Sequence, residues 1–258
     1  MKTERHYIEH SNLSTAWALA VHTMMERGGP SEIAPVVISI TGFDNGVPEE
    51  NTTIRTLLDE MLDRNEMQSC DTVANTIFPL SLWNPNAPRA QLFDRYRAVL
   101  PRIRKASTKN RHGLYFQRLI EGGAKEHSNQ LDYVLNTYTA RQGVRRSALQ
   151  VAVFDPKIDH SPAAQRGFPC LQHVTFAPTE EGLSINAFYA TQYAFERAYG
   201  NYLGICRLGH FVAHELNLPL VRMTCFTGIL LRDDSIKLSE LKPMVTAMKP
   251  LLQAEGEL

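Results

Sequence analysis

Leu171-Gln172-His173-Val174-Thr175-Phe176-Ala177, then Pro178-Thr179-Glu180-Glu181-Gly182, then Leu183-Ser184-Ile185-Asn186-Ala187-Phe188-Tyr189 is the stretch that decides the fold class. Two runs rich in β-branched and aromatic residues flank a turn-like segment of Pro, Thr, Glu and Gly, and read as successive strands. Just upstream, Ser147–Phe154 reads as a third strand. Downstream, a long helix pattern runs from Tyr202 to Leu216, a strand from Leu220 to Leu231 and a final helix from Ser239 to Leu252.

Toward the N-terminus, Ser11-Asn12-Leu13-Ser14 precedes an apolar stretch from Ala16 to Met25 that stops at Gly28-Gly29-Pro30, the pattern of a capped helix. Ile33–Phe43 reads as a strand, with a turn at Asp44-Asn45-Gly46. Asn51 caps a helix whose apolar residues Ile54, Leu57, Leu58, Met61 and Leu62 form one stripe. Asn84–Arg89 reads as a loop, followed by a helix carrying Leu92, Phe93, Tyr96, Val99 and Leu100. Ser128 caps another, with Leu131, Val134, Leu135 and Tyr138. Helices and strands mix without βαβ alternation, which predicts an α+β domain over residues 1–258, with one mixed sheet packed against helices. The helices are too few to cover both sheet faces, so the uncovered apolar face predicts a homodimer.

The chain has 258 residues, with 27 Lys+Arg against 27 Asp+Glu and 43% hydrophobic residues. That balance excludes a generally basic DNA-coating protein and an acidic disordered tail. No run of about 18 apolar residues occurs, so no membrane span is expected. The N-terminal MKTERHYIEH lacks a signal-peptide pattern. The four cysteines, Cys70, Cys170, Cys206 and Cys225, are widely spaced, and the expectation is a reduced cytoplasmic protein.

Cys170 follows Gly167-Phe168-Pro169 at the mouth of a strand, where a thiol can face a cavity; a buried structural cysteine is the alternative. Arg145-Arg146 sits at the start of the Ser147–Phe154 strand. One of the two could reach a phosphate, or both could be solvated. His210 and His214 share a helix face but lack a third ligand, and read as core or surface histidines rather than a metal site. The basic run Arg95, Arg97, Arg102, Arg104, Lys105, Lys109 and Arg111 lacks an aromatic ladder and reads as a charged helix face and loop. Glu60 falls off the apolar stripe of its helix, as an exposed carboxylate does.

Taken in order, these pieces resemble the thymidylate synthase and pyrimidine hydroxymethylase family, as a divergent member. The resemblance rests on Leu57-Leu58-Asp59-Glu60-Met61-Leu62, Gly113-Leu114-Tyr115 with Gln117-Arg118, Asn129-Gln130-Leu131, Arg145-Arg146, Phe154-Asp155-Pro156, Pro169-Cys170, Gly182-Leu183-Ser184 with Ala187-Phe188-Tyr189, and Asn201 with the helix after it. It implies an α+β dimer with back-to-back sheets. It also implies alkylation of carbon 5 of a pyrimidine, by methyl or hydroxymethyl transfer from 5,10-methylenetetrahydrofolate. By match, Cys170 is the nucleophile that adds to carbon 6. Glu60 relays protons through water, Tyr115 orders that water or assists proton removal, and Asn201 reads the pyrimidine edge. Arg145 and Arg146 reach across the dimer to a nucleotide phosphate.

The departures are equally specific. Tyr189-Ala190-Thr191-Gln192 lacks the family's arginine, Cys225–Arg232 lacks its His-x-Tyr, the N-terminal Arg-Thr-Gly-Thr loop has no match, and the C-terminal Glu-Gly-Glu-Leu does not resemble the folate-covering tail. Each charged hydrogen bond to phosphate is worth about 1.5–3 kcal/mol. Their joint loss points away from ordinary dUMP, toward another pyrimidine nucleotide, a nucleoside or a base carried by a partner, nucleic acid included. The alternative is an inactive homologue that binds a nucleotide or protein partner.

Overall fold

Along Leu183–Tyr193 and Leu171–Pro178 buried and accessible side chains largely alternate, as they must where a strand has one face on a core. The computed structural model describes residues 6–26, 31–106, 114–122, 129–140, 143–160, 162 and 169–258. In chain order the elements are β1 (His6–His10), α1 (Leu13–Met25), β2 (Glu32–Ile33), β3 (Val36–Ile40), β4 (Phe43–Asp44), β5 (Val47–Pro48), α2 (Thr52–Arg64), α3 (Cys70–Ile77), α4 (Ala90–Ala106), α5 (Tyr115–Glu121), α6 (Gln130–Ala140), β6 (Gln150–Ala152), α7 (Pro156–Asp159), β7 (Leu171–Pro178), β8 (Leu183–Tyr193), α8 (Tyr199–Glu215), β9 (Leu220–Leu231) and α9 (Leu238–Ala254). A π-turn, Ala194–Ala198, joins β8 to α8.

The architecture is α+β, with one mixed sheet packed against helices. Its strand order is β1-β3-β9-β8-β7-β6, and β2 also pairs with β9. β1 runs parallel to β3 and β8 parallel to β9, while the β3–β9, β7–β8 and β6–β7 pairs are antiparallel. α8 packs on β8 and β9, and α1 on β1 and β3. Ile38, Ile40, Met223, Cys225, Ile185, Ala187, Val174 and Phe176 fill the layer between sheet and helices.

Two local devices fix helices of this layer. Asn12 caps α1, its side-chain oxygen accepting from the Ser14 and Thr15 N–H groups. Further along, α8 approaches α3 so closely that a Cβ on Gly200 would lie 2.5 Å from the Val73 Cβ, and one on Gly204 2.8 Å from the Ile77 Cδ1. Only glycine permits that approach.

The opposite face of the sheet carries the row Tyr7, Val37, Phe226, Phe188, His173 and Ala152 across successive strands. Tyr7 is 60% exposed, Phe188 42% and Phe226 37%. Beside this row Arg222 reaches Glu9 and donates to Ser39 Oγ at 2.6 Å.

Several boundaries differ from the sequence reading. Ile33–Phe43 is not one strand, because Pro35 supplies no N–H and the segment breaks into β2, β3 and β4. Arg145-Arg146 does not open a strand. Arg146–Ala148 forms a 3-10 turn and the strand is confined to Gln150–Ala152, so opposite faces of a strand do not separate the two arginines. α8 begins three residues before Tyr202. Gly28-Gly29-Pro30, Lys109, Arg111, Gly113, Ser128, Gly167 and Phe168 lie outside the described residues.

Candidate functional site

Cys170 sits one residue before β7, where the end of that strand meets β8. Its carbonyl accepts from the Ala190 N–H at 3.1 Å, and Thr191 Oγ1 lies 3.9 Å from its sulfur. It is partly accessible, whereas Cys70, Cys206 and Cys225 are buried. Burial pushes those three thiols up, Cys225 to about 12, which leaves them protonated and inert at neutral pH.

Tyr115 opens α5 and brings a phenol beside that thiol. Burial pushes its hydroxyl up and the charge of Cys170 adds to the effect; the Leu171 N–H, the Arg197 guanidinium and the Cys170 N–H draw it back. The helix that holds Tyr115 is anchored one turn further on. Arg118 grips Asp159 with two bonds, at 2.7 and 2.8 Å, and donates to the Val153 carbonyl at 3.0 Å. Burial raises the Asp159 carboxyl, but its bonds to Arg118 and to the Asp155 N–H outweigh this and keep it below the usual carboxylate range. Gln130 ties α6 to the same place, donating to the Arg118 and Ala152 carbonyls and accepting from the Ala152 N–H.

Asn201 lies in the first turn of α8, buried, and among the described residues its amide makes no hydrogen bond. Cys170 and Tyr115 are therefore brought together, and Asn201 stands in the helix packed on β8 with its hydrogen-bonding capacity unspent. The other expected residues lie elsewhere in the single chain. Glu60 is exposed on α2, a helix that packs on α1 and α9. Its neighbour Asp59 is the engaged carboxylate, bonded to Arg55 and to the Cys70 N–H. Arg145 and Arg146 are exposed. Arg146 lines a cavity of about 480 Å³ with Tyr138, Thr139, Leu149, Thr179 and Glu180. That cavity stands at the Pro178 end of β7, the far end from Cys170, roughly 25 Å away at about 3.3 Å per strand residue.

Two groups at the site are given no role by the sequence. Arg197, in the π-turn after β8, is the cation whose charge reaches Tyr115. Gln68 Oε1 at 2.6 Å and Glu196 Oε1 at 2.7 Å hold its guanidinium. No local pattern marks it, because it lies eight residues beyond Tyr189 in an irregular turn. Tyr189 is fully buried and reads locally as an ordinary strand residue.

His210 and His214 flank Trp83, with ring centroids 5.0 and 5.4 Å from it, and His214 Nε2 lies 3.0 Å from the Pro85 carbonyl. Among the described residues no three His, Cys, Asp or Glu side chains are placed to hold a metal ion. No described helix is long and apolar enough to cross a membrane. No protein-family model matches the chain, and no curated protein matches it.

Proposed function

We propose that Cys170 adds to carbon 6 of a pyrimidine and so activates carbon 5 for transfer of a one-carbon group, in the manner of the thymidylate synthase and hydroxymethylase family. Addition forms the S–C6 bond and moves the C5–C6 π pair into an enolate spanning carbons 4 and 5, which then attacks an electrophile. The observation that carries this reading is the pairing of Cys170, the accessible thiol among the four, with the Tyr115 hydroxyl at the mouth of β7. Tyr115 is placed to manage the proton lost from carbon 5, and Asn201 has an uncommitted amide for the ring edge.

The one-carbon donor implied by the resemblance is methylenetetrahydrofolate. The described residues do not form a fitted cradle for it. Glu60 faces solvent, and the C-terminal carboxylates are turned to α1 and β1, with Glu255 bonded to Thr15 and Asn51 and Glu257 near His10. The chemistry assigned to this chain's own residues therefore ends at the thiol adduct and the carbon-5 proton. The substrate is a pyrimidine other than ordinary dUMP, and the acting form is a homodimer joined through the exposed sheet face. That assembly gives Arg145 and Arg146 a route to the partner's site that a single chain denies them. The exposed Glu60 favours the second reading, an inactive homologue that binds a nucleotide or protein partner.

Intact-mass measurement after incubation with 5-fluorouracil and 5-fluorocytosine nucleotides and nucleosides, with and without methylenetetrahydrofolate, tests the assignment. Fluorine does not leave carbon 5 as a cation, so a productive adduct stays trapped. The expected result is a one-to-one mass increase that Cys170→Ala abolishes. No adduct with any member of the panel would reject it in favour of the binding protein.

A further inference from the structure

Beside Cys170 lies a buried polar group that the proposed chemistry has not used. Tyr189 stands on β8 opposite Leu171 of β7 and Thr227 of β9, so its ring points into the layer beneath the thiol. It is fully buried, and its hydroxyl has no hydrogen-bond partner among the described residues. The hydroxyl's ionisable neighbours are Tyr115 from α5, Cys225 from β9, Cys170 itself and Tyr202 from α8. Arg197, held by Gln68 and Glu196, is the cation that acts on Tyr115.

The polar groups just below are already matched to one another. Thr227 Oγ1 donates to Gln192 Oε1 at 2.7 Å, and Gln192 Nε2 lies 3.9 Å from the Cys225 sulfur. Tyr189 is left with a donor that opposes folding while it stays unpaired. A resting hydroxyl already bonded elsewhere would have to break that bond to answer a new charge. An unpaired one turns about its C–O bond and answers at once, which is the arrangement that stabilises charge appearing during a reaction.

We propose that Tyr189 is a positioning residue for the Cys170–Tyr115 pair: its uncommitted hydroxyl is held for the negative charge that the pair carries once the Cys170 thiol has lost its proton. This extends the nucleophilic reading of Cys170 and rests on it, but only as far as ionisation of the thiol.

The test uses the full chain and a reagent unrelated to pyrimidines. Alkylation of Cys170 by iodoacetamide, in which the S–C bond forms and iodide leaves, is followed by peptide mass spectrometry from about pH 6 to about pH 10, because the thiolate is the reacting form. In Tyr189→Phe the midpoint of the profile is expected to rise by about one pH unit, slowing alkylation at neutral pH about tenfold, while the urea unfolding midpoint stays level or rises. Tyr202→Phe removes another buried hydroxyl, one that lies beside Cys225 and Thr227, and is expected to leave the profile in place. An unchanged profile in Tyr189→Phe, or an equal shift in Tyr202→Phe, overturns the inference. If no fluoropyrimidine adduct forms but the Tyr189→Phe profile still moves, the proposed activity falls and the role of Tyr189 stands.

Discussion

Phe188 of β8 and Phe226 of β9 stack with ring centroids 5.3 Å apart and planes inclined by 16°, on the sheet face turned away from α1 and α8. Paired aromatic rings left in water forgo the burial that makes such residues stabilising. The homodimer proposed above covers them. Sedimentation of the wild-type chain at micromolar concentration is expected to give twice the chain mass, and the double variant Phe188→Asp, Phe226→Asp a single chain that remains folded. A monomeric wild type would remove the dimer, and with it the route by which Arg145 and Arg146 serve a partner's site.

The contact between α3 and α8 makes a prediction about stability alone. A Cβ on Gly204 would fall 2.8 Å from Ile77 Cδ1 and 2.9 Å from the Ala74 carbonyl. The carbonyl belongs to a helix backbone and cannot step aside. Gly204→Ala is expected to lower unfolding free energy by about 1–3 kcal/mol, measured by urea denaturation. A neutral or stabilising result would mean that the two helices are further apart than described.

Asp233 links pH to folding through the turn that presents Arg197. Its carboxylate accepts from the Phe195 and Glu196 N–H groups, at 2.8 and 2.9 Å. Burial nonetheless pushes its pKa up to about 6, against the backbone bonds and with the help of the Glu196 charge. The native state therefore holds this proton more tightly than the unfolded chain does. The group's contribution to stability is complete below the ordinary Asp range and is lost as pH rises from there to about 6. The wild-type urea midpoint, relative to that of Asp233→Asn, is expected to fall as pH rises through this interval. A difference that does not vary with pH would show that the carboxyl is not raised.

Arg55 gathers three carboxylates. It reaches Glu50 at 2.9 Å, Asp59 at 2.6 Å and Asp71 at 2.8 Å, and its guanidinium lies 5.1 Å from the centre of the Tyr199 ring. Removing the cation leaves those charges facing one another in a half-buried setting. Arg55→Met is expected to cost roughly 3–5 kcal/mol. Arg97→Met, which breaks the more exposed pair with Asp94, is expected to cost only about 0–1 kcal/mol. Comparable losses in the two variants would refute the distinction.

The elements that the sequence made legible carry strong periodicity or explicit caps. β9 runs from Leu220 to Leu231 as its composition indicates, and Asn51 caps α2 by accepting from Thr53 and Ile54. β1 escaped the reading because His6–His10 has little apolar content and takes its conformation from pairing with β3. α3 escaped because Cys70–Ile77 is short and carries β-branched Thr72, Val73, Thr76 and Ile77, poor helix formers held here by the Ser69 cap and by α8. At the site, Cys170 was visible from its Pro-Cys context. The approach of Cys170 to Tyr115 and Tyr189, and of Arg197 to Tyr115, depends on strand register and on a helix fixed through Arg118 and Asp159, neither of which leaves a local trace in the chain.

β9 lies between β3 and β8 although it comes last of the three along the chain. During synthesis, the two halves of the sheet cannot join until residues 220–231 have emerged from the ribosome. Until that moment β3 and β8 each present a row of unanswered amide groups to whatever strand is near, and a neighbouring nascent copy carries the same missing piece. Yield of native protein should therefore depend on the pace of translation between the codons of β8 and those of β9, and slowing it would lengthen the interval in which exchanged strands are formed.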